Sequence, residues 1–289
     1  MGSEPAGRSL VSIVVTTRNE EPHVGQLLES LAHQDPPFEI VLVDALSRDR
    51  TVAVAEEFRA RHPGLLRIVV RGCSRGGGRN VGVAEARGEY VAFIDGDCLA
   101  DSGWLGRLRL SFGPKTVVAG LTVAIGKPRY GALERVELFQ GGYDVTYPSC
   151  NLVYPRALFE RLGGFDTRFV TAEDIDLNLR AVRDGASIRY DDQAIVLHHM
   201  RATFVRFLYQ AFWNGYGRKQ LTEKHGSLWV RYRVRRLLAG QKGVIAWARL
   251  VAALGGYATR VLTGGARRLG PGTGEADPPA GAARSGPPA

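Results

Sequence analysis

Cysteine is scarce in this chain of 289 residues: Cys73, Cys98 and Cys150 are odd in number and show no CxxC or Cys/His ligand spacing. That excludes a disulfide-framed scaffold and the usual structural zinc sites, and it points to a reducing compartment. The start "MGSEPAGRSL" lacks an apolar leader core, and Ala6 breaks the myristoylation pattern, so a cytoplasmic protein is expected. Neither a GxGxxG dinucleotide fingerprint nor the Lys-Ser/Thr of a P-loop occurs. In the C-terminal part Arg249 and Arg260 interrupt every apolar run before the roughly 18 residues needed to cross a bilayer. Acids are nearly missing there as well. Fourteen Lys/Arg between Arg201 and Arg268 face the single acid Glu223, although residues 1–200 carry 23 basic against 26 acidic side chains. The net charge of +9 therefore sits at one end, which suggests an anionic surface as a partner.

With 45% hydrophobic residues the chain has enough apolar material for one large core. Its first hundred residues alternate strand and helix signals. "LVSIVVTT" is a continuous β-branched run suited to a strand covered on both faces. A helix through Leu27, Leu28 and Leu31 follows, then "FEIVLVDA", a helix near 51–61, "LLRIVV", a helix near 78–86, and "EYVAFID". Such βαβ units make a mostly parallel sheet flanked by helices, with ligands beyond the carboxyl ends of the strands. Those ends carry Thr16 to Glu20, Asp44, Arg71 to Asn80, and Asp95 with Asp97.

Two carboxylates separated only by Gly96 repel each other unless a cation sits near them, and hard divalent ions accept such oxygens. On its own "DGD" reads first as a solvated turn. In "VDALSRDRT", Ser47 and Asp49 have the chemistry of helix caps, whereas Asp44 closes the strand where a base or ribose can be hydrogen-bonded. "CSRGGGRNVG" offers glycines for close backbone approach and positive charge from Arg75 and Arg79.

Five blocks in order, "SIVVTTRNEE", "VDALSRDRT", "GGGRNVGVAEARGEYVAFIDGD", "NLVYPRALFERLGGFDTRF" and "AEDIDLNLR", resemble family 2 glycosyltransferases over roughly Leu10 to His199. That resemblance implies a GT-A (Rossmann-like) α/β fold and an inverting, nucleotide-sugar-dependent enzyme. It implies donor contacts at Thr16, Arg18, Glu20, Asp44, Arg75, Asn80 and Asp95. It also implies Mn²⁺ or Mg²⁺ held by Asp95, Asp97 and His198, with Asp97 the more direct ligand, and a catalytic pair Glu173 and Asp174 whose aspartate is the base. The family's common "VDDGS" or "VDGGS" is "VDALS" here, which removes a glycine beside the donor.

Read physically, "FVTAEDIDLNLRAVRDG" is a helix with Ile175, Leu179 and Val182 on one face, and Thr171 with Asp174 has capping-box spacing. Three acids exceed what one cap requires, which favours catalysis over capping. His198 follows a short apolar strand and is preferred to His199, although a structural histidine remains the alternative. "YPSCNLVYPRALFERLGGFD" reads as a strand, a helix and a Gly turn on the acceptor side, with Asn151 lining the site. The stretch from Trp104 to Thr146 reads as a helix, a strand and a further helix.

The expected organisation is a flexible 1–9, a catalytic domain 10–200 (nucleotide-sugar half 10–100, acceptor half 101–200), a basic amphipathic helical extension 201–268 and a disordered tail 269–289. Lys242, Arg249, Arg260 and Arg267 stack on one helical stripe, suited to an anionic membrane interface on the inner face of the plasma membrane. Packing on the catalytic domain, or on a second copy in a homo-oligomer, is the equal alternative. The expected partners are a UDP-, GDP- or dTDP-sugar donor and a glycan or lipid-linked acceptor, without nucleic acid. A catalytically inactive sugar-nucleotide binder and a nucleotidyltransferase are the competing classes. The intact acids argue against the first, and the lack of a Gly-rich activation loop with a following Lys argues against the second.

Overall fold

Residues 9–126, 136–199, 203–226, 228 and 243–264 are described by the structure, a computed structural model. The stretch expected to be flexible at 1–9, apart from Ser9, and the tail at 269–289 lie outside them, and the further helix before Thr146 falls largely on the undescribed 127–135.

In the first half β1 (Val11–Thr17), β2 (Phe38–Asp44), β3 (Leu66–Val70) and β4 (Tyr90–Asp95) alternate with α1 (Glu21–Ala32), α2 (Thr51–Arg61) and α3 (Arg75–Ala84). The second half holds β5 (Cys98–Ala100), α4 (Trp104–Arg109), β6 (Thr116–Ile125), a small hairpin of β7 (Phe139–Gln140) and β8 (Tyr143–Asp144), β9 (Leu152–Pro155), α5 (Arg156–Arg161), α6 (Glu173–Arg183) and β10 (Ser187–His199). One eight-stranded sheet runs β3-β2-β1-β4-β9-β6-β10-β5. The pairs β1/β2, β1/β4, β2/β3 and β6/β10 are parallel, and β9 and β5 run against their neighbours. Strand order reverses at β1, and there the register sets Thr17 opposite Asp44 and Thr16 opposite Asp95. This is the crevice where open sheets bind ligands.

Alternation along β1 explains its unbroken apolar run. Ile13 and Val15 join a layer with Leu27, Leu31, Phe58 and Trp104, while Val14 joins the opposite layer with Phe93, Tyr154, Phe159 and Phe165. The glycine-rich segment is a helix rather than a loop. Ser74 caps α3 by accepting a bond from the Gly77 amide at 3.2 Å, and a Cβ on Gly82 would lie 2.3 Å from Val14 Cγ1. The glycines thus let α3 lie directly on the sheet.

After β10 come α7 (Phe204–His225) and α8 (Val244–Gly264), which pack on each other. Their backbones touch: a Cβ on Gly215 would fall 1.8 Å from the Ala253 carbonyl, and one on Gly256 equally close to that of Phe212. Arg260 points inward, donating to the Glu223 carboxylate at 2.8 and 3.0 Å and to the Tyr216 hydroxyl at 3.2 Å. The expected basic stripe is therefore corrected at Arg260, which serves helix packing, while Lys242 and Arg267 lie outside the described residues. Among the described residues no helix is long and apolar enough to cross a membrane.

Alanine at Gly82 should lower stability by about 1–3 kcal/mol in urea denaturation through overpacking against the stiff Val14. This reverses the roughly 1 kcal/mol that alanine gains over glycine in an open helix. Combining it with Val14→Ala should recover much of the clash cost, so that the double variant is more stable than the two single losses added together would give.

Candidate active site

Asp95 ends β4, and Gly96 then turns the chain where no side chain fits. A Cβ there would lie 2.7 Å from Thr17 Cγ2 and 3.2 Å from Glu20 Cγ. The Gly96 amide donates to the Thr16 carbonyl at 3.0 Å. This turn directs the two aspartates to different partners. Asp95 accepts a bond from Arg79 at 2.7 Å, and Thr16 Oγ1 lies 3.4 Å from the same oxygen. Asp97 instead faces His198, with Oδ1 3.3 Å from Nε2, because β5 and β10 set His198 opposite Cys98.

Asp97, His198 and the Cys98 thiol form a cluster with ligand-type atoms within 4.8 Å of one another. Hydrogen bonding with Cys150 and burial keep Cys98 a thiol by raising its pKa, so the donors left are one hard carboxylate and one borderline imidazole. That set suits a divalent ion of the Mn²⁺ or Mg²⁺ kind, which retains most of its shell for water and phosphate oxygens. Burial disfavours charge on His198, yet the bond to Asp97 and the surrounding acids prevail and push it up to about 9. As a ligand it gives up that proton. Asp95 is not among the converging groups, because Arg79 holds it, and its expected metal role is corrected accordingly. The choice between the two histidines is made by geometry: His199 stacks on His23 with ring centroids 4.3 Å apart.

Arg79 is the group that sequence reading undervalued. Its guanidinium is 1% exposed and joins Asp95 to Glu173, the latter at 2.9 Å, with the Phe165 ring 5.4 Å away. Burial would lower its pKa, but the charges of Asp95 and Glu173 raise it, and Arg79 with Arg75 in turn holds Asp95 below the usual carboxylate range against burial. The legible signal was an arginine at the fifth position of a glycine-rich helix start, four residues after Arg75. Glu173, expected beside the base, is thereby committed to Arg79 and is corrected to a structural partner.

Asp174 differs. It lies in the first turn of α6, where Oδ1 accepts from the Ile175 amide at 2.8 Å and Oδ2 from the Ser149 amide at 3.3 Å. Burial and the neighbouring Glu173 outweigh Arg79 and these bonds, raising it to about 6. The capping-box alternative fails, since Thr171 Oγ1 donates to the Trp213 carbonyl at 2.9 Å and the position before the helix is Ala172 in a left-handed conformation, φ 68°. The third acid, Asp176, is fully buried among Arg180, Lys224 and His225.

The donor-side residues are placed unevenly. Asp44 is fully buried and accepts from Thr17 Oγ1 at 3.0 Å and from both the amide and hydroxyl of Ser47, so its oxygens are taken up by the chain itself. Arg18 is exposed at the rim, and the Glu20 amide is tied to Thr51 Oγ1 at 2.8 Å. Asn19, φ 56°, stitches this loop to the next, accepting from the Arg48 amide and donating to Ser47 Oγ, both at 2.8 Å. Leu46 stands where the family's glycine would, and it adopts φ 57°, so the loop keeps the left-handed turn at a steric cost of about 1–2 kcal/mol.

Two expected site residues are corrected. Asn80 exchanges two 2.8 Å bonds with the Phe165 backbone, and Asn151 is fully buried between Trp104 Nε1 and the Leu121 and Ala194 carbonyls. A cavity of about 440 Å³ beside Asn80, Gly164 and Lys224 contains none of the strand-end acids. Its cations are committed elsewhere, Lys224 to Asp166 and Asp176 and Arg180 to Asp176, so it is not taken as the donor site.

A family model described as glycosyl transferase family 2 matches residues 12–159. The chain is similar to the glycosyltransferase AglE of Haloferax volcanii, 26% identical over 225 residues that cover 73% of each chain. A mannosyltransferase from Pyrobaculum calidifontis, solved in complex with GDP-Man and Mn²⁺, matches with TM-score 0.61 and 21% identity over 93% of this chain and 79% of its own. Staphylococcus aureus TarS 1–349 in complex with UDP-GlcNAc matches with TM-score 0.55 and 18% identity over 89% and 91%. At these identities the two structures speak to the fold.

Removing Arg79 leaves the buried Glu173 and the part-buried Asp95 without their cation, so Arg79→Ala should cost about 3–5 kcal/mol in chemical denaturation. Arg79→Lys should recover little, because a single ammonium cannot reach two carboxylates in the geometry of a planar fork. Glu173→Gln, which retains a hydrogen-bond acceptor for Arg79, should be the mildest of the three.

Proposed function

This chain belongs to glycosyl transferase family 2 and has the GT-A fold, and from that premise we propose that it moves a sugar from a nucleoside diphosphate sugar to an acceptor hydroxyl in one inverting displacement. The observation that carries the reading is the division of labour among the acids: Asp97 pairs with His198, Asp95 and Glu173 are held by Arg79, and Asp174 alone is pushed up to about 6. A carboxylate with that proton affinity is suited to general-base work near neutral pH.

In this reaction the acceptor hydroxyl passes its proton to Asp174 as its oxygen bonds to the anomeric carbon. The bond from that carbon to the diphosphate breaks on the opposite side, and its electron pair leaves on the nucleoside diphosphate. Asp97 and His198 would hold Mn²⁺ or Mg²⁺, which when bound supplies Lewis-acid charge for the departing diphosphate. The Mn²⁺ and GDP-Man bound to the Pyrobaculum enzyme support this assignment. Thr16, Arg18, Glu20 and Arg75 form the donor side, with Asp44 fixing the loop beneath them through Thr17 and Ser47, UDP, GDP or dTDP is the nucleotide, and residues 10–200 are the catalytic unit. The basic C-terminal segment favours a lipid-linked glycan acceptor and peripheral contact with an anionic membrane face.

Calorimetry with UDP-, GDP- and dTDP-sugars, with and without Mn²⁺, tests the donor half. One of them should bind in a metal-dependent way, and Asp97→Ala or His198→Ala should weaken that binding by about 10-fold or more. Failure of every nucleotide under both conditions sinks the reading.

Asp174→Asn should leave nucleotide binding intact and lower turnover by about 10²–10⁴-fold. A base must be unprotonated, so in the wild type kcat/KM should fall about tenfold per pH unit below pH 6 and level off above it. An acid limb near pH 4 contradicts the raised pKa, and undiminished turnover in the asparagine variant rules out Asp174 as the base.

A further inference from the structure

The outer face of α8 is apolar where solvent-facing helices are polar. Val244, Trp247, Val251, Leu254, Val261 and Leu262 are between 50% and 85% exposed, and their spacing of three, four and seven puts them on one side of a 21-residue helix. At about 1.5 Å per residue the stripe extends for roughly 30 Å. Charged side chains occur at two positions of α8, Arg249 and Arg260, and Arg260 is turned inward to Glu223. The helix is thus inside out: its small residues and an ion pair face α7, and its large apolar residues face outward. At the start of α7, Val205 and Tyr209 are exposed by 75% and 63%, and Arg206 between them is exposed as well.

We propose that this face of the α7–α8 hairpin is a docking surface for an anionic lipid bilayer, with the α8 stripe lying in the interface parallel to the membrane plane. The proposal deepens the peripheral-contact reading given above and rests on it only for the identity of the enzyme. Charge selects the bilayer from other occupants. The segment 201–268 carries fourteen basic side chains against one acid, which complements anionic headgroups. α8 does not span: no helix among the described residues is long and apolar enough. An in-plane helix with its apolar side in the acyl boundary fits both the stripe and the charge of the segment.

The hairpin is also mechanically joined to the base. Gly217 of α7 lies against Thr171, where a Cβ would fall 2.3 Å from Oγ1, and Gln220 brackets the same loop by accepting from the Val170 amide and donating to the Arg168 carbonyl. That loop leads directly into Asp174. Thr203, the cap of α7, follows His199 by four residues. A bilayer seated on α8 would therefore present a lipid-borne hydroxyl from the side on which both Asp174 and His198 are anchored.

The full chain should float with phosphatidylcholine vesicles containing phosphatidylglycerol, bind pure phosphatidylcholine more weakly, and show a blue shift of tryptophan fluorescence that Trp247→Phe diminishes. The paired substitution Val251→Asp with Leu254→Asp should lower partitioning by about tenfold or more while leaving the thermal midpoint and nucleotide-sugar binding unchanged. Absence of vesicle binding, binding indifferent to the aspartate pair, or sedimentation showing copies that associate through the stripe and separate in the paired variant would overturn the proposal. Loss of vesicle binding with nucleotide-sugar binding preserved removes this surface and leaves the transfer reading standing. The opposite result removes the transfer reading and leaves the surface.

Discussion

Arg79 ties the two chemical halves of the molecule together. It comes from the third helix, reaches Asp95 at the end of β4 and Glu173 at the start of α6, and is almost wholly removed from water. Charges drawn this far out of water would be prohibitive without pairing, so the strand end carrying Asp95 and the helix carrying Asp174 are held at one separation. The glycines before Arg79 belong to the same constraint. A Cβ on Gly76 would come within 3.2 Å of Phe165, and one on Gly78 within 3.3 Å of Thr16. Without them α3 would stand off the sheet and the guanidinium would not reach both acids.

The same pairing sets the acids apart chemically. Asp95 and Glu173 are neutralised by direct bonds, whereas Asp174 receives Arg79 only as a through-space charge and is exposed to burial and to Glu173. From behind, Asp176 is held by Arg180, Lys224 and His225, the last two from α7. Helix α6 is thus fastened at its start by α3 and along its inner face by α7. A helix outside the sheet helps to fix the position of α6 and of Asp174 on it.

Much of the sheet was legible because burial on both faces forces unbroken β-branched runs: β1, β2 and β4 are apparent in "SIVVTT", "FEIVLVDA" and "EYVAFID". The helix at 51–61 was legible to the residue. The helix expected near 78–86 instead begins at Arg75, because Ser74 caps it and the glycines that look like a loop make close contacts, Gly76 with Phe165 and Gly78 with Thr16 of the sheet. Asn80 and Asn151 look like polar site residues in sequence, and both proved to be braces for backbone that would otherwise be unsatisfied in the interior. Arg260 looked like one member of a basic stripe and is an internal ion pair. In each case the deciding partner is distant in the chain, so local spacing carried no information about it.

By itself the sequence determined the alternating architecture, the strand ends at which chemistry gathers, the family resemblance and the concentration of positive charge in the last third. Those properties follow from periodicity and composition, which are local or additive along a chain. Tertiary structure decided which aspartate faces a histidine and which faces an arginine, that His198 rather than His199 meets Asp97, that Glu173 is committed while Asp174 is raised, and that the apolar side of α8 faces outward. These depend on which groups share a low-dielectric space and compete for the same hydrogen bonds, and only the folded chain brings them together.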